Sequence, residues 1–311
     1  MKIYRKRILV TGGSGLVGSY LKRRISPDGN NSIVYMTSSD FDLCNVDEVY
    51  EMLGLYQPEI VIHLAARVGG IVENMAHPVD FFEQNVLMNT NLLKMCHKWK
   101  VKHVIAMLST CAYPDVMDSY PMEEADLFNG RPPETNFSYA FAKRAMGAQI
   151  DAYVKEYNKK WCYLLPCNLY GEFDKFDGKR SHFVGALLNK IINATDTIEL
   201  FGTGKPLRQF MYADDLAKLI ELMIERNIYE NMNVAPDMNY SIDDMAKLAL
   251  IVTNNEHLKI VYNTYMPDGQ YRKDVSPYKR LKLFPDFKLM SLGDGLLLTY
   301  KTLIKSGKLE K

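Results

Sequence analysis

Arg7-Ile-Leu-Val-Thr-Gly-Gly-Ser-Gly-Leu-Val-Gly18 is the stretch that decides the fold. Arg7 to Val10 reads as a buried strand, and glycines follow at once. Gly13-x-Gly15-x-x-Gly18 fits the dinucleotide-binding fingerprint, and Gly12-x-x-Gly15-x-x-Gly18 overlaps it. Glycines at these spacings permit a tight turn and close backbone approach to a pyrophosphate, with Ser14, Leu16 and Val17 around it. Leu16 to Ile25 then continues as a helix whose N-terminus faces that anion. A glycine motif alone is weak. Between a strand and a helix it predicts the start of a doubly wound sheet.

Ser32 to Met36 is the next strand, ending at Thr37, Ser38 and Ser39. NAD enzymes place an acid about 20 residues past the glycines, on the ribose hydroxyls. With hydroxyls at Ser38 and Ser39 and no carboxylate among these three residues, the sequence leans to NADP(H). Pro58 to Leu64 reads as a third strand running into Ala65-Ala66, whose small side chains leave room for a cofactor. Apolar spacing through Val86, Leu87, Leu92, Leu93 and Met95 predicts a helix over Asn85 to Trp99. Val101 to Leu108 is a strand that delivers Ser109, Thr110 and Cys111 to the sheet edge bearing the glycine turn. Trp161 to Leu165 is another, followed by Pro166-Cys-Asn-Leu-Tyr-Gly171. Alternating strands and helices predict an α/β doubly wound parallel Rossmann sheet, with a smaller C-terminal α/β substrate domain. The expected division is 1–170, with return segments about 198–226, and 171–311. In the later part, Glu172 to Ser181 reads as a mobile loop, and His182 to Asn193 and Asp214 to Glu225 as helices. Asn231 to Ala235 reads as a strand, Ser241 to Asp244 as a helix N-cap and Pro267-Asp-Gly269 as a turn.

Tyr139-Ala-Phe-Ala-Lys143 places a phenol and an ammonium four residues apart, on one face of a helix running to about Tyr157. Free tyrosine titrates near ~10. A neighbouring cation favours the phenolate, so the pair can pass a proton to or from a carbonyl oxygen.

Composition restricts the alternatives. The chain has 311 residues, 47% hydrophobic and 24% charged, with a net charge of +1. That balance gives no reason to expect nucleic acid or an anionic membrane as partner. Five cysteines without a C-x-x-C pair read as reduced cytoplasmic thiols. The apolar run after the basic start is too short for a signal peptide, and no run is long enough to span a bilayer. No cluster suggests a metal.

The glycine turn, Ser109-Thr-Cys111 and Tyr139-x-x-x-Lys143 together resemble the extended short-chain dehydrogenase/reductases that act on nucleotide sugars. Within them, Arg67-Val-Gly-Gly-Ile71, Ser109-Thr-Cys-Ala-Tyr-Pro114, Asn168-Leu-Tyr-Gly171, Gly202-Thr-Gly-Lys-Pro-Leu-Arg-Gln-Phe210 and Pro267-Asp-Gly269 are similar to the GDP-L-fucose synthase family. That resemblance implies NADPH-dependent reduction of a GDP-4-keto sugar, coupled to 3,5-epimerisation, in a homodimer paired through the two long helices.

The resemblance also assigns residues. Tyr139 is the proton donor to the 4-oxygen, Ser109 hydrogen-bonds that oxygen, and Lys143 holds the ribose and lowers the tyrosine pKa. Cys111 is the epimerase base and His182 its acid. Asp42 and Leu43 contact adenine. Leu108, Pro166, Asn168, Leu169 and His182 also line the cofactor site. Val68, Gly69, Gly70, Asn168, Lys190, Phe201, Arg208 and Asp268 face the GDP-sugar, with Arg272 and Lys273 as further phosphate candidates. The chain departs from the family at Gly171-Glu-Phe-Asp-Lys-Phe176, at Gly185 (usually proline) and at Cys167 (usually threonine). Two alternatives stay open: a reductase without epimerase activity on a GDP-4-keto-heptose or another deoxyhexose, and a catalytically silent dinucleotide-binding protein.

Overall fold

The computed structural model describes residues 6–25, 32–176 and 182–306. Among them, six parallel strands form the main sheet: Arg7–Thr11, Ser32–Met36, Ile60–His63, His103–Met107, Lys160–Pro166 and Met232–Val234. Their spatial order is sixth, fifth, fourth, third, first, second. The chain leaves the first strand in one direction and later returns to its other side. This opens a crevice at the carboxyl ends, where such sheets bind ligands. Ile8, Leu9, Val10, Ile60, Val61 and Ile62 are fully buried, as strands covered on both faces must be. The Leu16–Arg24 helix packs on the Ala213–Arg226 helix, and Pro78–Lys98 on Phe137–Tyr157.

The smaller unit holds three two-stranded pairs: Asn168–Tyr170 with Phe210–Tyr212, Thr197–Phe201 with Lys259–Asn263, and Leu207–Arg208 with Tyr240–Ser241. Ser241 caps the Ile242–Val252 helix, with its hydroxyl 2.9 Å from the Asp244 amide and the Asp244 carboxylate reaching back.

Three expectations are corrected. The expected return segment, 198–226, divides in the structure. Thr197–Phe201 pairs within the smaller unit, whereas Ala213–Arg226 leads into Met232–Val234, which pairs with Lys160–Pro166. The helix expected over Asn85 to Trp99 begins at Pro78. Proline has no amide to lose in a first turn, so it starts this helix and does not break it. The segment after Gly171 is anchored where it is described, since Glu172 and Asp174 are buried. Glu172 Oε2 accepts from the phenols of Tyr20 and Tyr212, and its Oε1 from Arg23. Residues 177–181 of that expected loop, and Met1 to Arg5 of the basic start, lie outside the described residues.

Candidate active site

The glycine turn is built for an anion. Gly12 has φ +70°, and a Cβ there would lie 2.7 Å from the Ala65 amide nitrogen. A Cβ on Gly18 would lie 2.6 Å from the Gly12 carbonyl. These two positions close the turn. Ser14 and Gly15 are exposed on its open side. Gly15 caps the Leu16–Arg24 helix without a side-chain hydrogen bond, so the first amides are not occupied by a capping group. A pyrophosphate fits such a cradle. Ala65 and Ala66 follow the third strand, Leu108 the fourth, and Pro166 ends the fifth.

The second-strand turn differs from expectation. Asp40 does place a carboxylate there, accepting from the Thr37 amide and hydroxyl, both at 2.7 Å. The Thr37 hydroxyl also contacts Ser39 Oγ at 2.8 Å, and Ser38 and Ser39 are exposed. Asp42 accepts from the Cys44 amide, and Leu43 is buried.

Around Cys111 the reactive groups converge. Ser109 begins a short 3-10 turn, and its hydroxyl accepts the Cys111 amide at 3.2 Å. Ser109 lies near enough to Tyr139 to lower its phenol pKa, and Cys111 near enough for its charge to influence Tyr139, His182 and Arg208. Lys273 Nζ stands 3.3 Å from Cys111 Sγ. Burial pushes the thiol up, but Lys273, Ser109 and Arg208 outweigh it, and the net shift is downward. Lys273 is a further phosphate candidate from the resemblance; no local pattern ties it to a cysteine 162 residues away.

Tyr139 and Lys143 sit together, with the ammonium 5.7 Å from the ring centroid. The expected electrostatic coupling is corrected. Burial raises the phenol, and Cys111 adds to the rise. Lys143 is not among the groups that act on it, and burial pushes the lysine's own pKa down to about 7. Its Nζ donates to the Met107 carbonyl at 2.6 Å.

His182 caps the Phe183–Asn193 helix, and its Nδ1 lies 2.9 Å from Asp174 Oδ1. Arg208 donates to the Leu207 carbonyl and is influenced by Cys111 and Asp268. Asp268 accepts from the Thr203 amide (2.6 Å) and hydroxyl (2.9 Å), so it shapes the Gly202 turn. Lys190 lies 4.8 Å from the Phe201 ring centroid and donates to the Glu199 backbone carbonyl. Arg272 is held by Asp274 and is not a free phosphate ligand. Asn168 donates to the Gln209 carbonyl. Asn74 bonds the Gly69 and Gly70 carbonyls, fixing the segment after Val68. Among the described residues no metal-holding cluster is present, and no helix is long and apolar enough to cross a membrane.

A Rossmann sheet with a serine, tyrosine and lysine at its carboxyl edge defines the extended reductase and epimerase class. Residues 8–235 match the NAD dependent epimerase/dehydratase family. The chain is 37% identical to a GDP-L-fucose synthase of Dictyostelium discoideum, over 91% of this chain and 90% of that one. It is 32% identical to a GDP-L-colitose synthase of Yersinia pseudotuberculosis, over 86% and 88%. A GDP-L-fucose synthetase from Naegleria fowleri bound to NADP superposes with a TM-score of 0.88 at 32% identity, covering 99% of this chain and 96% of that one. The chain therefore belongs to the NAD-dependent epimerase/dehydratase family and, within it, to the GDP-L-fucose synthase family.

Proposed function

We infer that this chain is an NADPH-dependent reductase of a GDP-4-keto sugar that also epimerises carbons 3 and 5. One observation carries the reading: Ser109, Tyr139, His182 and a Cys111 with Lys273 at 3.3 Å lie near enough to influence one another, with Lys143 against the Tyr139 ring. The cradle around Gly12, Gly15 and Gly18 fits a dinucleotide pyrophosphate. NADPH, when bound, supplies the hydride.

Each side chain has a definite task. Cys111, with its pKa lowered beside Lys273, removes the proton at carbon 3 or 5, both acidified by the 4-keto group. His182 returns a proton from the opposite face. Ser109 orients the 4-oxygen, and Tyr139 protonates it as negative charge develops there. Burial keeps Tyr139 protonated at neutral pH, the form a proton donor requires. Arg208 grips the diphosphate. Phe201 supplies an apolar face, while Lys190 and Asp268 set the shape of that end.

The Yersinia relative favours a second reading of the sugar, in which another GDP-4-keto-deoxyhexose is the substrate. Gly185 and Cys167, which depart from the family's usual residues, bear on that choice. The protein acts as a homodimer through the Pro78–Lys98 and Phe137–Tyr157 helices, which pack together and leave Leu87, Val154 and Tyr157 exposed. A monomer in light scattering at micromolar concentration would refute this pairing. The free cysteines among the described residues fit a cytoplasmic setting.

Cys111→Ser tests the division of labour. It removes the accessible anion and leaves the reductase trio, so solvent deuterium no longer enters at carbons 3 and 5 while a 4-keto group is still reduced. Undiminished exchange would overturn the role of Cys111.

A further inference from the structure

We propose that Asp174 is the positioning residue for His182, holding the imidazole by Nδ1 so that Nε2 faces the reacting carbon. The proposal rests on His182 being the acid of epimerisation.

The geometry is a buried carboxylate under a half-exposed ring. Asp174 is 4% exposed and the His182 side chain 52%. Asp174 Oδ1 accepts from the Lys175 amide and from His182 Nδ1, both at 2.9 Å. An ionised carboxylate only accepts, so Nδ1 carries a proton. The proton available for delivery is then on Nε2, which bears one only in the imidazolium. In the step itself the Nε2–H bond breaks, a C–H bond forms at the enolate carbon, and the ring is left neutral. A nearby anion favours the charged ring before the step. The charged or titratable groups that act on His182 are Asp174, Lys175 beside it and Cys111. Burial works against the imidazolium, but Asp174 and Cys111 outweigh it, and the ring's pKa is raised.

Asp174 is itself fixed from two sides. Its amide donates to the Gly171 carbonyl at 3.0 Å. Two residues earlier, Glu172 is clamped by Tyr20, Tyr212 and Arg23, which ties the segment to the Leu16–Arg24 helix. On the opposite side, a Cβ added at Gly185 would lie 3.3 Å from Asp174 Oδ2, and that oxygen has no hydrogen-bond partner among the described residues. Gly185, where the family usually has proline, therefore leaves this carboxylate its room. The same Cβ would lie 3.3 Å from the Lys175 carbonyl and from a Phe176 ring carbon.

The test pairs nitrogen-15 NMR titration of the His182 ring, assigned by its loss in His182→Asn, with deuterium exchange at carbons 3 and 5. In the wild type Nδ1 is protonated and the ring titrates above 6.5. In Asp174→Asn it titrates lower, and exchange at the centre served by His182 falls at least about tenfold, toward the ~100-fold low end of general-acid catalysis. Asp174→Glu restores part of the raised titration. A folded Asp174→Asn protein with unchanged titration and exchange overturns the proposal. Normal exchange in His182→Asn would instead defeat the acid role of His182. Exchange lost in His182→Asn but intact in Asp174→Asn defeats the positioning alone. If Asp174→Asn does not fold, the wild-type spectrum carries the test: a neutral ring with its proton on Nδ1 supports the proposal, and one with its proton on Nε2 overturns it.

Discussion

Lys273 Nζ lies 3.3 Å from Cys111 Sγ, joining two loops 162 residues apart in the chain. The contact favours a thiolate in a site where burial alone would favour the thiol. At an effective permittivity of ~20, unit charges this close interact by several kcal/mol, and one pKa unit is about 1.4 kcal/mol. Lys273→Met is therefore expected to raise the thiol pKa by more than one unit. Alkylation of Cys111 at neutral pH slows at least about tenfold, because the thiolate is the nucleophile. An unchanged pH dependence of alkylation would show that Lys273 does not support the anion.

Tyr139→Phe keeps the ring and removes the proton donor. Reduction should fall by at least ~100-fold, the low end for general acid catalysis. NADPH binding, followed by its fluorescence, should persist. Near-normal reduction by the folded variant would contradict the assignment.

Glu172 makes a stability prediction. Its carboxylate takes two phenols and a guanidinium in a buried setting. Leaving buried partners unpaired costs about 1–3 kcal/mol each. Glu172→Ala should destabilise the chain by roughly 3 kcal/mol or more in denaturant unfolding. A loss under about 0.5 kcal/mol, the range of an ordinary surface substitution, would mean the clamp does not form.

Lys143 makes stability depend on alkaline pH. Its folded pKa is about 7 against 10.5 for the free side chain. Between those values the unfolded chain binds more protons than the folded one, so stability rises with pH. The contribution is complete above 10.5 and absent below about 7. Lys143→Met should flatten this rise in unfolding midpoints measured from neutral to alkaline pH. An equal slope in wild type and variant would contradict the burial of a neutral amine.

Much of the Rossmann half was legible because its signals are local. The glycine turn, the short apolar strands and the Tyr139 helix each reside in one stretch, and their boundaries fall within a few residues of those expected. The smaller unit was less legible. Thr197–Phe201 alternates in burial over only five residues, and its parallel partner Lys259–Asn263 is far along the chain. The site divided in the same way. Ser109, Cys111, Tyr139 and His182 are expected from pattern and resemblance, and they lie near enough to influence one another. Lys273 beside Cys111, Asp174 under His182 and Glu172 under Tyr20 were missed, because each depends on a tertiary partner. Asp40 was missed for a different reason: it stands one residue beyond Ser39, and the turn brings it back onto Thr37.

The central claim, reduction with epimerisation, meets its most direct test in one reaction. Wild-type protein is mixed with GDP-4-keto-6-deoxy-D-mannose and NADPH in deuterated water, and the product is read by NMR. The account predicts NADPH oxidation, inverted carbons 3 and 5, and deuterium at both. Efficient reduction with no deuterium at either carbon would contradict the epimerase role of Cys111 and His182. No oxidation of NADPH with this or any other GDP-4-keto sugar would contradict the whole account.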